Sequence, residues 1–73
     1  MQHIVIDPDI CGGQPTIRGT RIAARTVLGF LSAGDSIEDI LAEYPTLTRE
    51  DILACLGYSA DLLRTHYSVQ DVA

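Results

Sequence analysis

The sequence predicts a mainly α-helical domain, in which a short N-terminal β-hairpin precedes a three-helix bundle containing a helix-turn-helix. Three observations predict it. The β-branched run His3-Ile4-Val5-Ile6 ends at the turn signal Asp7-Pro8-Asp9. From Ala23 the apolar residues change to helical spacing. Two Ser/Thr-x-x-Asp sequences, Ser36 to Asp39 and Thr48 to Asp51, stand on either side of Pro45 and mark two helix starts.

The β element is expected over residues 1–22. Besides the first run, Thr16-Ile17 and Thr20-Arg21-Ile22 are β-prone pieces separated by Arg18-Gly19, and glycine supplies the positive φ that a tight hairpin turn requires. The stretch "GGQPTIRGTRI" therefore reads first as a hairpin of its own. Helix one is expected over 23–33, with Val27, Leu28 and Leu31 on one face and Gly34 as its left-handed C-cap.

Helix two opens at Ser36, with Glu38 and Asp39 in the first turn at the positive end of the helix dipole. Ile37, Ile40, Leu41 and Tyr44 complete an i, i+3, i+4, i+7 stripe, and Pro45 stops the helix. Helix three starts after Thr48, with Leu47 and Ile52 placed as a hydrophobic staple. Ile52, Cys55, Leu56, Leu62 and Leu63 carry it to Arg64, with Gly57 marking a bend or a close contact. The expected core is Ile40, Leu41, Tyr44, Leu47, Ile52 and Leu56. The three-helix unit spans 23–66 and a flexible tail spans 67–73, all within one domain, 1–73.

A chain of 73 residues buries only about 60% of its unfolded surface, so its core needs outside support. Cys11 and Cys55 lack a disulfide framework. His3, Cys11, Cys55 and His66 lack the paired spacing of a metal site, and no cofactor is expected. The start "MQHIVIDPD" has neither a basic n-region nor a long apolar run, and no segment reaches the roughly 20 apolar residues of a membrane span. The expectation is a cytoplasmic protein that gains its support as a homodimer, the two copies pairing through exposed β edges in the first 22 residues.

Net charge is −5, unevenly spread. Residues 1–34 carry Arg18, Arg21 and Arg25 against Asp7 and Asp9, a net of +1. Residues 35–73 carry Arg49 and Arg64 against eight acids, a net of −6. All basic side chains are arginine, suited to bidentate contacts with phosphate, guanine or carboxylate. With no lysine there is no Gly-x-x-x-x-Gly-Lys phosphate loop, and Ser32, Ser36 and Ser59 have no histidine nearby in sequence. The chain is not expected to be an enzyme.

In a DNA-binding helix-turn-helix the second helix enters the major groove, and Thr48 and Arg49 stand at its start. Packing alone also calls for two short-linked helices. Glu50 and Asp51 in that first turn would repel phosphates, so they read as caps. Arg18, Arg21 and Arg25 make a better footprint, six cations in a dimer; the alternative for Arg21 and Arg25 is ion pairing with Asp7, Asp9 or the acidic helices.

The run Gly13-x-Pro15-x-Ile17-x-Gly19-Thr20-Arg21-Ile22, then Gly34, then Tyr44-Pro45-x-Leu47-Thr48, closely resembles the small bacterial and archaeal family called domain of unknown function 433, from Ile4 to Tyr58. The resemblance implies a homeodomain-like fold and a VapB-type antitoxin, which pairs with a PIN-like ribonuclease toxin and binds its own operator DNA as a dimer. It also implies an arginine presented to the toxin's metal-binding carboxylates, for which Arg64 is the candidate. The DNA contacts expected are Arg18, Arg21, Arg25, Thr48 and Arg49. The alternative reading is a protein-interaction module that uses its acidic half against a basic partner and does not touch DNA.

Overall fold

The computed structural model describes residues 3–65. Strand β1 (Ile4–Ile6) is followed by a tight turn at Cys11–Gly13, strand β2 (Pro15–Ile17), and helices α1 (Ala24–Ser32), α2 (Ile37–Glu43) and α3 (Arg49–Thr65). This is the mainly helical domain with an N-terminal hairpin that the patterning predicts.

The hairpin joins different residues from those expected. β1 pairs antiparallel with β2 in the register Ile4 to Ile17, Val5 to Thr16 and Ile6 to Pro15. Residues 20–22 are not a strand; after the turn at 18–21 the chain returns only far enough for a single bridge between Thr16 and Ala23. Burial decides between the partners. Ile4 and Ile17 stand opposite one another and both enter the core, whereas Thr20-Arg21 offers no apolar face to bury.

Each helix end follows from a local device. α1 closes in a Schellman motif, with Gly34 N–H donating to Leu31 O and Asp35 N–H to Phe30 O, both at 3.0 Å, and Gly34 at φ 102°. At the start of α2, Asp39 N–H donates to Ser36 Oγ and Ser36 N–H to Asp39 Oδ2, both at 3.0 Å. α3 repeats this box: Thr48 N–H donates to Asp51 Oδ2 at 3.0 Å, and Asp51 N–H to Thr48 Oγ1 at 3.2 Å. Both boxes were legible in sequence.

The core gathers Ile4, Ile17, Ala24, Val27, Ile40, Leu47, Ile52 and Cys55. α1 packs on β2 and α3, and α3 also covers β1, so the hairpin supplies two of the eight core residues. Leu41 and Tyr44 sit half-buried at the rim, where the Tyr44 ring meets Phe30 at 6.0 Å between centroids. Leu56, expected in the core, is 41% exposed. With α1 and α2 both short, α3 has a narrow covered stripe, and a position one residue past Cys55 turns away from it. Both cysteines are free thiols, Cys55 buried and Cys11 half-buried. The expected tail, 67–73, lies outside the described residues, as does His66.

Candidate nucleic-acid interface

The arginine-bearing segment is a held turn. Arg18 N–H donates to His3 O at 2.7 Å, tying the end of β2 to the chain ahead of β1. Ile17 O accepts from both Thr20 N–H at 3.0 Å and Thr20 Oγ1 at 2.7 Å, and Ile22 N–H donates back to Thr20 Oγ1 at 3.0 Å. Ile17 N–H closes the loop on Ile22 O at 3.0 Å. Gly19 takes φ 78°, which a side chain would resist. Cys11, itself left-handed at φ 53°, donates its thiol to Arg21 O at 3.1 Å. The backbone on both sides of Gly19 is therefore pinned while the Arg18 and Arg21 side chains are exposed.

Such a turn presents two guanidinium groups with little backbone entropy left to lose on binding an anionic surface. Among the described residues Arg21 makes no ion pair, so the expected pairing with Asp7, Asp9 or the acidic helices is absent there. Arg25, in the first turn of α1, donates from Nε to Gln14 Oε1, a neutral partner, and makes no ion pair among the described residues. Arg18 and Arg21 thus lie in the β2–α1 connection, and Arg25 in the first turn of α1.

The remaining predicted contacts are engaged within the chain. Thr48 spends its hydroxyl and amide on Asp51. Arg49 lies 3.3 Å from Glu38 Oε2, an exposed link from α3 to α2. Asp51 also accepts from His3 Nδ1 on its other oxygen at 2.9 Å. Burial raises the cost of charging Asp51, but the hydrogen bonds from His3 and Thr48 outweigh it and hold the carboxyl below its usual range. α2 and α3 are both present, and the start of α3 is acidic and internally bonded. The arrangement disfavours reading bases through Thr48 or Arg49. Arg64, at the far end of α3, sits 3.2 Å from Asp61, both exposed.

The sequence pattern of the family described as Protein of unknown function (DUF433) matches residues 4–59, most of the chain. The chain belongs to this family. A crystal structure of a DUF433 member protein from Anabaena variabilis is similar to it, with 39% identity and a TM-score of 0.80 over 84% of this chain and 60% of that one. The uncharacterized protein y4eO of Sinorhizobium fredii is 40% identical over 62 residues, 84% of this chain. This DUF433 chain spans only 28% of the length of that curated relative.

Two features of the DUF433 chain were not read from the sequence. The first is the His3–Asp51 link, invisible because its partners are 48 positions apart. The second is a run of exposed leucines on α3, namely Leu53 (48%), Leu56 (41%), Leu62 (41%) and Leu63 (65%). Their spacing was on view, but which of them the bundle would leave uncovered was not. Among the described residues no helix is long and apolar enough to cross a membrane, and no three His, Cys, Asp or Glu side chains are gathered for a metal ion.

Proposed function

We propose that this protein is a homodimeric, antitoxin-like DNA-binding protein, which neutralises a PIN-like ribonuclease toxin and represses its own operon by binding operator DNA, with no chemistry of its own. The observation that carries the DNA part is the pinned, exposed Arg18–Arg21 turn with Arg25 beside it, three cations in the one stretch of an acidic chain where basic residues outnumber acidic ones. A dimer doubles these to six, enough for the electrostatic share of operator binding.

The test of DNA binding is a titration of upstream DNA with purified protein at several salt concentrations. Six phosphate contacts predict a slope of log K against log salt of about −5, falling toward about −2 when Arg18→Ala and Arg21→Ala are combined. Binding that is undetectable, or unchanged in slope in the double variant, sinks this part. For the nuclease part, the adjacent reading frame is expected to encode a nuclease with clustered acids, co-expression with it is expected to relieve growth arrest, and survival unchanged by this protein discards it.

A second reading, a protein-interaction module that does not contact DNA, is favoured by the internal engagement of Thr48, Arg49 and Asp51. It predicts nuclease capture with no salt-dependent DNA affinity.

A further inference from the structure

We propose that the exposed face of α3 is a dimer interface, occupied by the same helix of a second copy running antiparallel. Leu53, Leu56, Ala60 and Leu63 are all exposed. They recur at intervals of three, four and three, the spacing that keeps one stripe of a helix against a partner helix. Over this stretch Ile52 and Cys55 face the core, so the stripe is a second apolar face, distinct from the one the bundle buries.

What identifies the occupant is self-complementarity. When the helix is laid antiparallel on itself, Leu53 meets Leu63 of the partner subunit, and Leu56 meets Ala60 of the partner subunit. Each layer then combines large with large or large with small, and the stripe is filled from end to end. In the same register Glu50 comes beside Arg64 of the partner subunit, giving two ion pairs related by the twofold axis. Gly57 falls next to that axis. It sits in mid-helix with nothing among the described residues within 4 Å of the place where a Cβ would stand, so no contact among them accounts for it. Across an antiparallel pair it leaves room for the two backbones to approach.

The charges agree with this register. Glu50 is exposed in the first turn of α3, and Arg64 is exposed in its last turn, where among the described residues it makes an exposed pair with Asp61. A pair so exposed contributes little and exchanges readily for an interfacial carboxylate. One surface patch that fits itself under a twofold rotation is the mark of a closed dimer. The strand edge first expected to join two copies is weaker ground, since β1 is three residues long, is already paired with β2, and exposes one large apolar side chain, Ile6. Arg64 is thereby assigned to the dimer and not to a toxin.

The inference specifies the homodimer of the reading above, and its test uses neither DNA nor nuclease, so either can fail without the other. Sedimentation equilibrium of the full chain should give twice the 7.9 kDa chain mass, and Leu63→Asp should return it to the single mass with its helix content by circular dichroism unchanged. Because Leu63 is 65% exposed, this substitution does not threaten the fold.

Glu50→Arg and Arg64→Glu should each weaken association by about tenfold or more, and the double exchange should restore it to within about threefold, since the pair is rebuilt with its charges reversed. Gly57→Gln should raise helix content while weakening the dimer. A monomer at all concentrations overturns the proposal. So does a dimer indifferent to Leu63→Asp and to both charge exchanges, or one broken only by Ile6→Asp.

Discussion

His3 Nδ1 donates to Asp51 Oδ1 at 2.9 Å, so the residue that precedes the first strand is fastened to the first turn of the last helix. The same carboxylate caps that helix through Thr48 N–H. One side chain thus joins the hairpin to the helical bundle and starts α3, which explains why an acid stands at this position.

Replacing Asp51 by alanine removes both bonds. Thermal or urea unfolding should show a loss of about 1–2 kcal/mol, the scale of a lost helix cap with a further hydrogen bond. His3→Ala should cost less, and a double-mutant cycle between the two should give a coupling of about 0.5–1 kcal/mol. Strictly additive losses would mean that the contact carries no energy.

Acid should destabilise the protein in a defined window. Asp51 and Asp39 both have carboxyls held below the usual range, Asp39 by the Ser36 backbone N–H first and its hydroxyl second. A depressed native value means the stabilisation is complete above the unfolded carboxylate value of about 3.9 and is lost as pH falls through the lower native value. Melting temperature should therefore decline on acidification below about pH 4, and Asp51→Asn should flatten that decline.

The two thiols should behave differently. Burial pushes the Cys55 thiol up to about 11, with the nearby Asp51 charge adding to it. An aromatic disulfide reagent at neutral pH should titrate Cys11 in the native protein and reach Cys55 only on unfolding. Because the native value is raised, the stability from keeping Cys55 protonated is full below the unfolded thiol value of about 8.5 and is lost as pH climbs toward the native one. Cys55→Ala should remove this alkaline component; equal reactivity of both thiols in native protein would refute the burial argument.

Thr20→Val breaks two hydrogen bonds that pin the arginine turn while leaving every charge in place. DNA affinity should fall several-fold with the salt slope unchanged, whereas Arg21→Ala, which removes one contact from each protomer of the dimer, should make the slope shallower by about 2. Identical slopes in both variants would argue that positioning, and not charge, dominates.

Gly34→Ala forces a side chain onto a backbone at φ 102° and should cost about 1 kcal/mol or more in unfolding experiments. An unchanged midpoint would mean that the end of α1 relaxes without the Schellman bonds.

Local chemistry made much of this protein legible. The two capping boxes, the stop at Tyr44-Pro45 and the glycine at the end of α1 each depend on residues within a few positions of one another, so the order and approximate limits of the helices follow from the chain alone. The cluster of Arg18, Arg21 and Arg25 was legible for the same reason. What only the tertiary structure decided involves partners far apart. Ile17 pairs with Ile4 and not with a strand at the nearer residues 20–22 because that pairing buries both, and Asp51 became a tie to His3 because folding brings residues 48 positions apart into contact. The bundle also decided which leucines of α3 stay outside: helical spacing marks apolar faces, but only the width of the neighbouring helices determines how much of them is covered.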